Sequence, residues 1–272
     1  ENKQFYEDEY AKKYLTNERA NVETYFETFL PLQKLRISRI GQYLNPNSRV
    51  LEVGSGPDYF LYSLKDRVQE VVGVELNKIH AKYANDIRNI KTYSNDFREC
   101  GFREEYFDVI LMFQVMEHMA DPVQTLNDIH PLLNESGYLI IEVPNLDNPL
   151  IGLYHIKAFI GFWHQKPHLY YFNRESLAKL IEKTKFEIVE MISVQEIGFI
   201  NHINWIISGL PMRNRKVCVN DSILLESDKT DNKMITAEVV QLYDEFNNKY
   251  KKLLEDHNLG DSILCICKKI AD

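Results

Sequence analysis

Between residues 49 and 142 the chain alternates short apolar segments with helical stretches. The apolar segments fall at 49–53, 69–75, 90–94, 107–112 and 137–142, and helical periodicity fills 58–66, 77–88 and 121–133. Strands spaced this way pair in parallel only through crossover connections. Right-handed crossovers put helices on both faces, so the pattern predicts an α/β fold with a doubly wound, Rossmann-like sheet. In such a sheet a ligand sits beyond the carboxyl ends of the strands, near the point where strand order reverses. The residues just after each strand are therefore the ones to read for chemistry.

The first strand, Arg49-Val-Leu-Glu-Val53, runs into Gly54-Ser55-Gly56-Pro57-Asp58, and Tyr59-Phe-Leu-Tyr-Ser-Leu64 reads as the helix behind it. Glycine has no Cβ, so the backbone here can approach a nucleotide-like ligand closely. Glu75 ends the second strand, 21 residues after Gly54, where a carboxylate can accept both ribose hydroxyls of an adenosine. A dinucleotide turn wants a third glycine at position 59, which is Tyr59. That counts against a pyrophosphate, and so against a nicotinamide-dependent dehydrogenase. Asp96 follows the third strand in Ser94-Asn95-Asp96-Phe97, placed to accept from an exocyclic amine while Phe97 packs on the ring. The fourth strand leads into Phe113-Gln114-Val-Met-Glu117-His118-Met-Ala-Asp121-Pro122, a loop followed by a proline-started helix.

The flanks follow other patterns. Residues 1–44 read as a helical cap: Tyr6, Tyr10 and Tyr14 share a helical face, and an amphipathic stretch with Leu32, Leu35, Arg36, Ile40 and Leu44 continues after Pro31. The segment 45–199 reads as the core. After residue 142 come a Pro-, Asn-, His- and aromatic-rich stretch at 144–172, a helix at 173–184 and a strand at 186–194. Residues 200–258 read as a helical insertion or lid with a polar loop near 221–233, and 259–272 as the final core strand, its apolar part at 262–268. Trp205, Ile206 and Ile207 give the insertion an apolar patch that suits either an acceptor cover or a homodimer contact.

Net charge is −8 and no basic stripe is visible, so a small-molecule acceptor is expected and nucleic acid is not. The four cysteines form no CxxC pair and no zinc-like spacing, so no metal site is expected. Cys265 and Cys267 are two apart in an apolar run and would share one strand face. No apolar leader and no run of membrane-spanning length is seen, which gives a cytoplasmic expectation.

Taken in order, Leu51-Glu-Val-Gly-Ser-Gly56, Glu75, Asn95-Asp96-Phe97, Gln114 to Pro122, Gly137 to Asn145 and His168-Leu-Tyr-Tyr-Phe172-Asn173 resemble the class I S-adenosylmethionine-dependent methyltransferases. The resemblance covers residues 45–195. It implies a seven-stranded sheet with an antiparallel last edge, and S-adenosyl-L-methionine as cofactor. By the same resemblance Gly54, Ser55 and Gly56 pass under the methionine part, Glu75 holds the ribose and Leu76 lies against adenine. Asp96 and Phe97 grip the adenine, and Phe113 and Gln114 line the floor. The chain departs at Asp58, where the family often has a third glycine. There the aspartate is expected to cap the next helix, and its charge would oppose the cofactor's carboxylate.

Methyl transfer from a sulfonium needs mainly alignment, which contributes roughly 7–11 kcal/mol. A hydroxyl acceptor also needs a proton acceptor, and histidine suits that role. His168 is the first candidate for it and His118 the second. His155 and His164 are weaker candidates. The stretch from His168 to Phe172 resembles a segment of sugar- and antibiotic-pathway methyltransferases. In the sugar C-methyltransferases a glutamate often precedes that histidine, where this chain has Pro167, and their zinc-binding cysteines are absent here. O-methylation of a sugar, nucleotide-linked sugar or other surface-glycan precursor is therefore the expected reaction. C- or N-methylation and an inactive binding protein are the alternatives. Asn145, Tyr154, Trp163 and Tyr170 are the expected acceptor contacts, because aromatic bodies with polar tips suit sugar faces.

Overall fold

The computed structural model describes residues 21–164, 167–212 and 233–270. The Tyr6/Tyr10/Tyr14 stripe, Cys218 and nearly all of the polar loop near 221–233 lie outside the described residues. Helices α1 (Val22–Phe29) and α2 (Gln33–Ile40) come first, followed by β1 (Arg49–Val53), α3 (Tyr59–Leu64), β2 (Glu70–Val74), α4 (Lys78–Arg88) and β3 (Lys91–Tyr93). Then come β4 (Phe107–Phe113), α5 (Pro122–Ile129), β5 (Leu133–Pro144), α6 (Pro149–Gly152), α7 (Lys157–Trp163) and α8 (Arg174–Ile181). The described chain closes with β6 (Phe186–Val194), α9 (Phe199–Ser208), α10 (Lys233–Asp256) and β7 (Ser262–Lys269).

The seven strands form one sheet in the order β3-β2-β1-β4-β5-β7-β6, with the last strands antiparallel. β1 pairs in parallel with both β2 and β4, so strand order reverses between β1 and β4. Their carboxyl ends carry Gly54 and Gln114, which brings together the two segments that the sequence marks for ligand contact. β4 shows why the sheet is covered on both faces: Phe107 and Val109 to Phe113 are all buried. A run apolar on both faces has no stable place except between two layers.

Contacts divide the described chain into two compact units. The first comprises residues up to Glu142, Leu177–Glu190 and residues from Cys265 on; the second comprises Val143–Ser176 and Met191–Leu264. In the first, Phe26, Ile40, Leu51, Phe60, Leu61, Ile110 and Met112 are fully buried. Short polar residues start its helices: the Asn21, Asn77 and Asp121 side chains accept the open N–H groups of α1, α4 and α5. In the second unit Leu150, Phe159 and Trp205 form a core, with Ile151, Tyr154, Ile156 and Trp163 against it.

Several expected boundaries shift for local reasons. α5 ends at Ile129, because His130-Pro131-Leu132 tightens into a 3-10 turn, and β5 already starts at Leu133. Pro31 lies not in α2 but in a 3-10 turn, Leu30–Leu32, that joins the first two helices. α3 is only six residues long, and α8 stops at Ile181. Cys265 and Cys267 share a buried face of β7 with sulfurs 3.5 Å apart, and the described cysteines are free thiols.

Candidate functional site

A cavity of about 250 Å3 opens at the carboxyl ends of β1, β2, β3 and β4, within the first unit. Gly54, Gly56, Glu75, Leu76, Asp96, Phe97, Phe113, Gln114 and His118 line it. Gly54 has φ +76°, and a Cβ there would stand 2.4 Å from Val115 Cγ2. The position therefore needs glycine both for its backbone conformation and for its close neighbour. Glu75 secures the turn: its Oε2 accepts from Gly56 N at 2.8 Å and its Oε1 from Asn77 N at 2.7 Å. Burial pushes the Glu75 carboxyl up, and these two N–H groups pull against that shift.

Tyr25, Tyr59 and His80 complete one wall. Tyr25 from α1 stacks on His80 of α4, with ring centres 5.7 Å apart and planes 11° from parallel. Tyr59 faces Tyr25 at 6.0 Å and Phe29 at 5.6 Å. Burial lowers the His80 pKa to about 4, so its ring is neutral at pH 7 and packs as an aromatic. Sequence reasoning missed this wall. In the sequence Tyr59 stands for a missing glycine and for the start of a helix, while the Tyr25–Phe29 spacing of four is a helical-face signal.

Two expectations about the turn are corrected. Ser55 does not line the cavity: its side chain is buried and packs under the turn, over the Cα of Gly73. Asp58 does not cap α3, since its side chain makes no capping bond and its backbone is left-handed at φ +62°. It is fully buried and points under the turn, where it accepts from Thr92 Oγ1. Gly73 makes the room: a Cβ there would lie 2.6 Å from Asp58 Oδ1. The Asp58 carboxyl is thus turned away from the cavity.

Burial raises the Asp58 pKa to about 7, and the Ser55 and Thr92 hydroxyls beside it only partly offset that. Glu75 nearby raises it further, and buried Glu52 of β1 is another carboxyl in the same field. The sign of the pH dependence follows. Between the ordinary aspartate value and about 7 the folded chain holds a proton that the unfolded chain has lost, so stability falls as pH rises through this window. The slope is at most about 1.4 kcal/mol per pH unit. Asp58→Asn keeps the shape and suits left-handed backbone, so its stability relative to wild type is expected to rise from pH 5 to pH 8. Chemical denaturation of both proteins at each pH measures this, and a difference that does not change with pH refutes it.

His118 lies in a 3-10 turn after β4, with its Nε2 3.8 Å from Glu117 Oε1. Glu117 is buried, and burial raises its pKa to about 8. The second unit holds the remaining predicted residues. His168 lies in an aromatic group, 5.6 Å from the Tyr171 ring, which in turn is 4.8 Å from Trp163. His164 also packs on Tyr171, and His155 occupies a left-handed turn at φ +51°. Tyr170 is partly exposed beside Phe172, and Tyr154 hydroxyl meets Tyr250 hydroxyl at 3.0 Å. Asn145 is not open to an acceptor: it is fully buried, and its amide donates to Gly260 O at 2.8 Å and Asn258 O at 3.2 Å. The apolar trio of the insertion divides, with Trp205 buried and Ile206 and Ile207 exposed.

The cavity fits a sulfonium nucleoside. It combines a side-chain-free turn, a carboxylate after β2, a carboxylate with an aromatic after β3, and an apolar floor. Those groups match a ribose, a purine and the carbon chain of a thioether or sulfonium arm. No described helix is long and apolar enough to cross a membrane.

Comparison with known proteins agrees with this fit. A family model described as a methyltransferase domain matches residues 27–191. An uncharacterized protein of Methanocaldococcus jannaschii is 26% identical over 194 residues, covering 71% of this chain and 80% of that one. A probable S-adenosylmethionine-dependent methyltransferase of Mycolicibacterium smegmatis is 25% identical over 158 residues, covering 53% of this chain and only 54% of that protein. The crystal structure of a SAM-dependent methyltransferase from Archaeoglobus fulgidus superposes with a TM-score of 0.55 at 22% identity, covering 88% of this chain and 94% of that one. At that identity the likeness speaks for the fold.

Proposed function

This chain belongs to the methyltransferase-domain family and takes its methyl group from S-adenosyl-L-methionine, and from that premise we propose that it methylates a hydroxyl oxygen of a small molecule. The acceptor class proposed is a sugar, a nucleotide-linked sugar or another surface-glycan precursor. The observation that carries the proposal is the position of His118, whose imidazole stands in the wall of the cavity.

When bound, the cofactor supplies a methyl group activated by its sulfonium. The protein's task is then to align the acceptor and remove its proton. The hydroxyl proton goes to the His118 imidazole and from there to solvent. Glu75 would hold the ribose, and Asp96 with Phe97 would hold the purine. Phe113, Val115 and Met119 line the same cavity and would keep water from the reacting end. Within the second unit, taken by itself, His168, Tyr154, Trp163 and Tyr170 are proposed as acceptor contacts, each open to its own substitution test.

The test is transfer of label from methyl-labelled cofactor into fractionated small metabolites, with the product bond identified by mass spectrometry. Label in an alkali-stable methyl ether of a sugar supports the reading. Label on nitrogen or carbon, or no transfer by a chain that binds the cofactor, overturns it.

A further inference from the structure

Helix α1 brings Tyr25 into the wall of the cofactor cavity, and its other face is tied to α4 by Arg88. Glu23 and Glu27 are each two residues from Tyr25, about 200° around the helix, so they face away from it. They stand one turn apart, and a single guanidinium reaches both. Arg88 Nη2 donates to Glu23 Oε1 at 2.9 Å and to Glu27 Oε1 at 3.1 Å. Its Nε donates to the Tyr83 hydroxyl at 2.9 Å, which fixes the guanidinium from its own helix. The guanidinium carbon lies 3.9 Å from the centre of the Phe26 ring of α1. Phe26 is fully buried and stands edge-on to Tyr62 of α3, with ring centres 5.4 Å apart.

These contacts differ in weight. Glu23 and Glu27 are 56% and 59% exposed, so water and salt screen both ion pairs. Arg88 is only 15% exposed. A guanidinium largely out of water over an aromatic ring is attracted by the ring's quadrupole, and its stem adds apolar packing. The stack of Tyr25 on His80 and the contact of Arg88 on Phe26 are thus two fastenings between the same pair of helices. Tyr25 and His80 line the cavity, whereas Arg88 lies outside its lining. Arg88 can therefore act on the site only through the wall that it holds.

We propose that Arg88 is a positioning residue of the cofactor cavity: by fastening α1 against α4 it holds Tyr25 in place as a wall against the bound cofactor. The inference rests on the cofactor assignment above and adds a residue outside the ligand's own contacts.

A double-mutant cycle on binding of S-adenosylhomocysteine, followed by calorimetry, tests it. Arg88→Met and Tyr25→Ala are each expected to weaken binding about tenfold, and the double variant also by about tenfold, because Arg88 acts through the wall that Tyr25 forms. Multiplication of the two effects, to about a hundredfold, overturns the proposal, as does an Arg88→Met chain that binds like wild type. Hydrogen exchange of the unliganded Arg88→Met chain separates positioning from general stability. Faster exchange confined to the amides of α1 is the expected result, and a rise spread equally over β1 and β4 overturns the proposal. Should Arg88→Met fail to fold, Arg88→Lys replaces it with the same outcomes, since lysine keeps the charge but not the planar stack on Phe26. A wild-type chain that binds no S-adenosylhomocysteine removes the cofactor assignment itself. A wild-type chain that binds, with a multiplicative cycle, removes only the role of Arg88.

Discussion

Glu75→Ala is expected to weaken binding of S-adenosylhomocysteine on the order of a thousandfold while the protein stays folded. The carboxylate follows β2 and lines the cavity, where two ribose hydroxyls would donate to it, and hydrogen bonds to a charged group contribute about 1.5–3 kcal/mol each. Two such bonds amount to about 4 kcal/mol, or about three orders of magnitude in affinity. The same oxygens accept from Gly56 N and Asn77 N, so the variant also loosens the glycine turn. Glu75→Gln retains one acceptor oxygen and is expected to recover part of the loss. Calorimetric titration with a parallel thermal melt separates affinity from folding. An unchanged dissociation constant for Glu75→Ala would mean that the ribose is held elsewhere.

His118→Ala is expected to lower turnover about 10²- to 10⁴-fold, the range for losing a positioned proton acceptor, with cofactor affinity changed only a few-fold. The neighbouring carboxyl sharpens this test. Glu117 is buried with a pKa of about 8, so at pH 7 it is mostly protonated and carries little charge to support an imidazolium. Glu117→Gln, close in shape to the protonated acid, is therefore expected to keep turnover within about tenfold of wild type at pH 7. A loss as large as that of His118→Ala would show that the charged carboxylate is required. A His118→Ala variant with wild-type turnover would move the proton acceptor elsewhere, with His168→Ala the next variant to measure.

The alternation of apolar and helical segments was legible because a strand covered on both faces must be apolar throughout. β4 is the clearest case, and its bounds differ from expectation only by Phe113. The ends of helices were less legible, because a 3-10 turn such as His130–Leu132 has the same apolar spacing as the helix before it. The candidate site was legible where one residue type follows one strand: Gly54, Gly56, Glu75, Asp96 and Gln114 all reached the cavity. It was not legible where direction mattered. Ser55 and Asp58 sit inside the turn motif, yet both side chains turn beneath it, because Gly73 on the neighbouring strand leaves space there.

By itself the sequence determined the doubly wound core, the end of the sheet that holds the site, and the chemical types of residue after each strand. These follow from local rules, since hydrophobic period and glycine turns are written in neighbouring residues. Only the tertiary structure decided that Tyr25 and His80 form a wall, that Asp58 is buried away from the ligand, and that Arg36 and Gln114 meet on Glu142. Arg36 and Glu142 are 106 residues apart in the chain. No local pattern connects them, and their pairing appears only when β5 is laid beside β4 and the Arg36 side chain of α2 reaches Glu142.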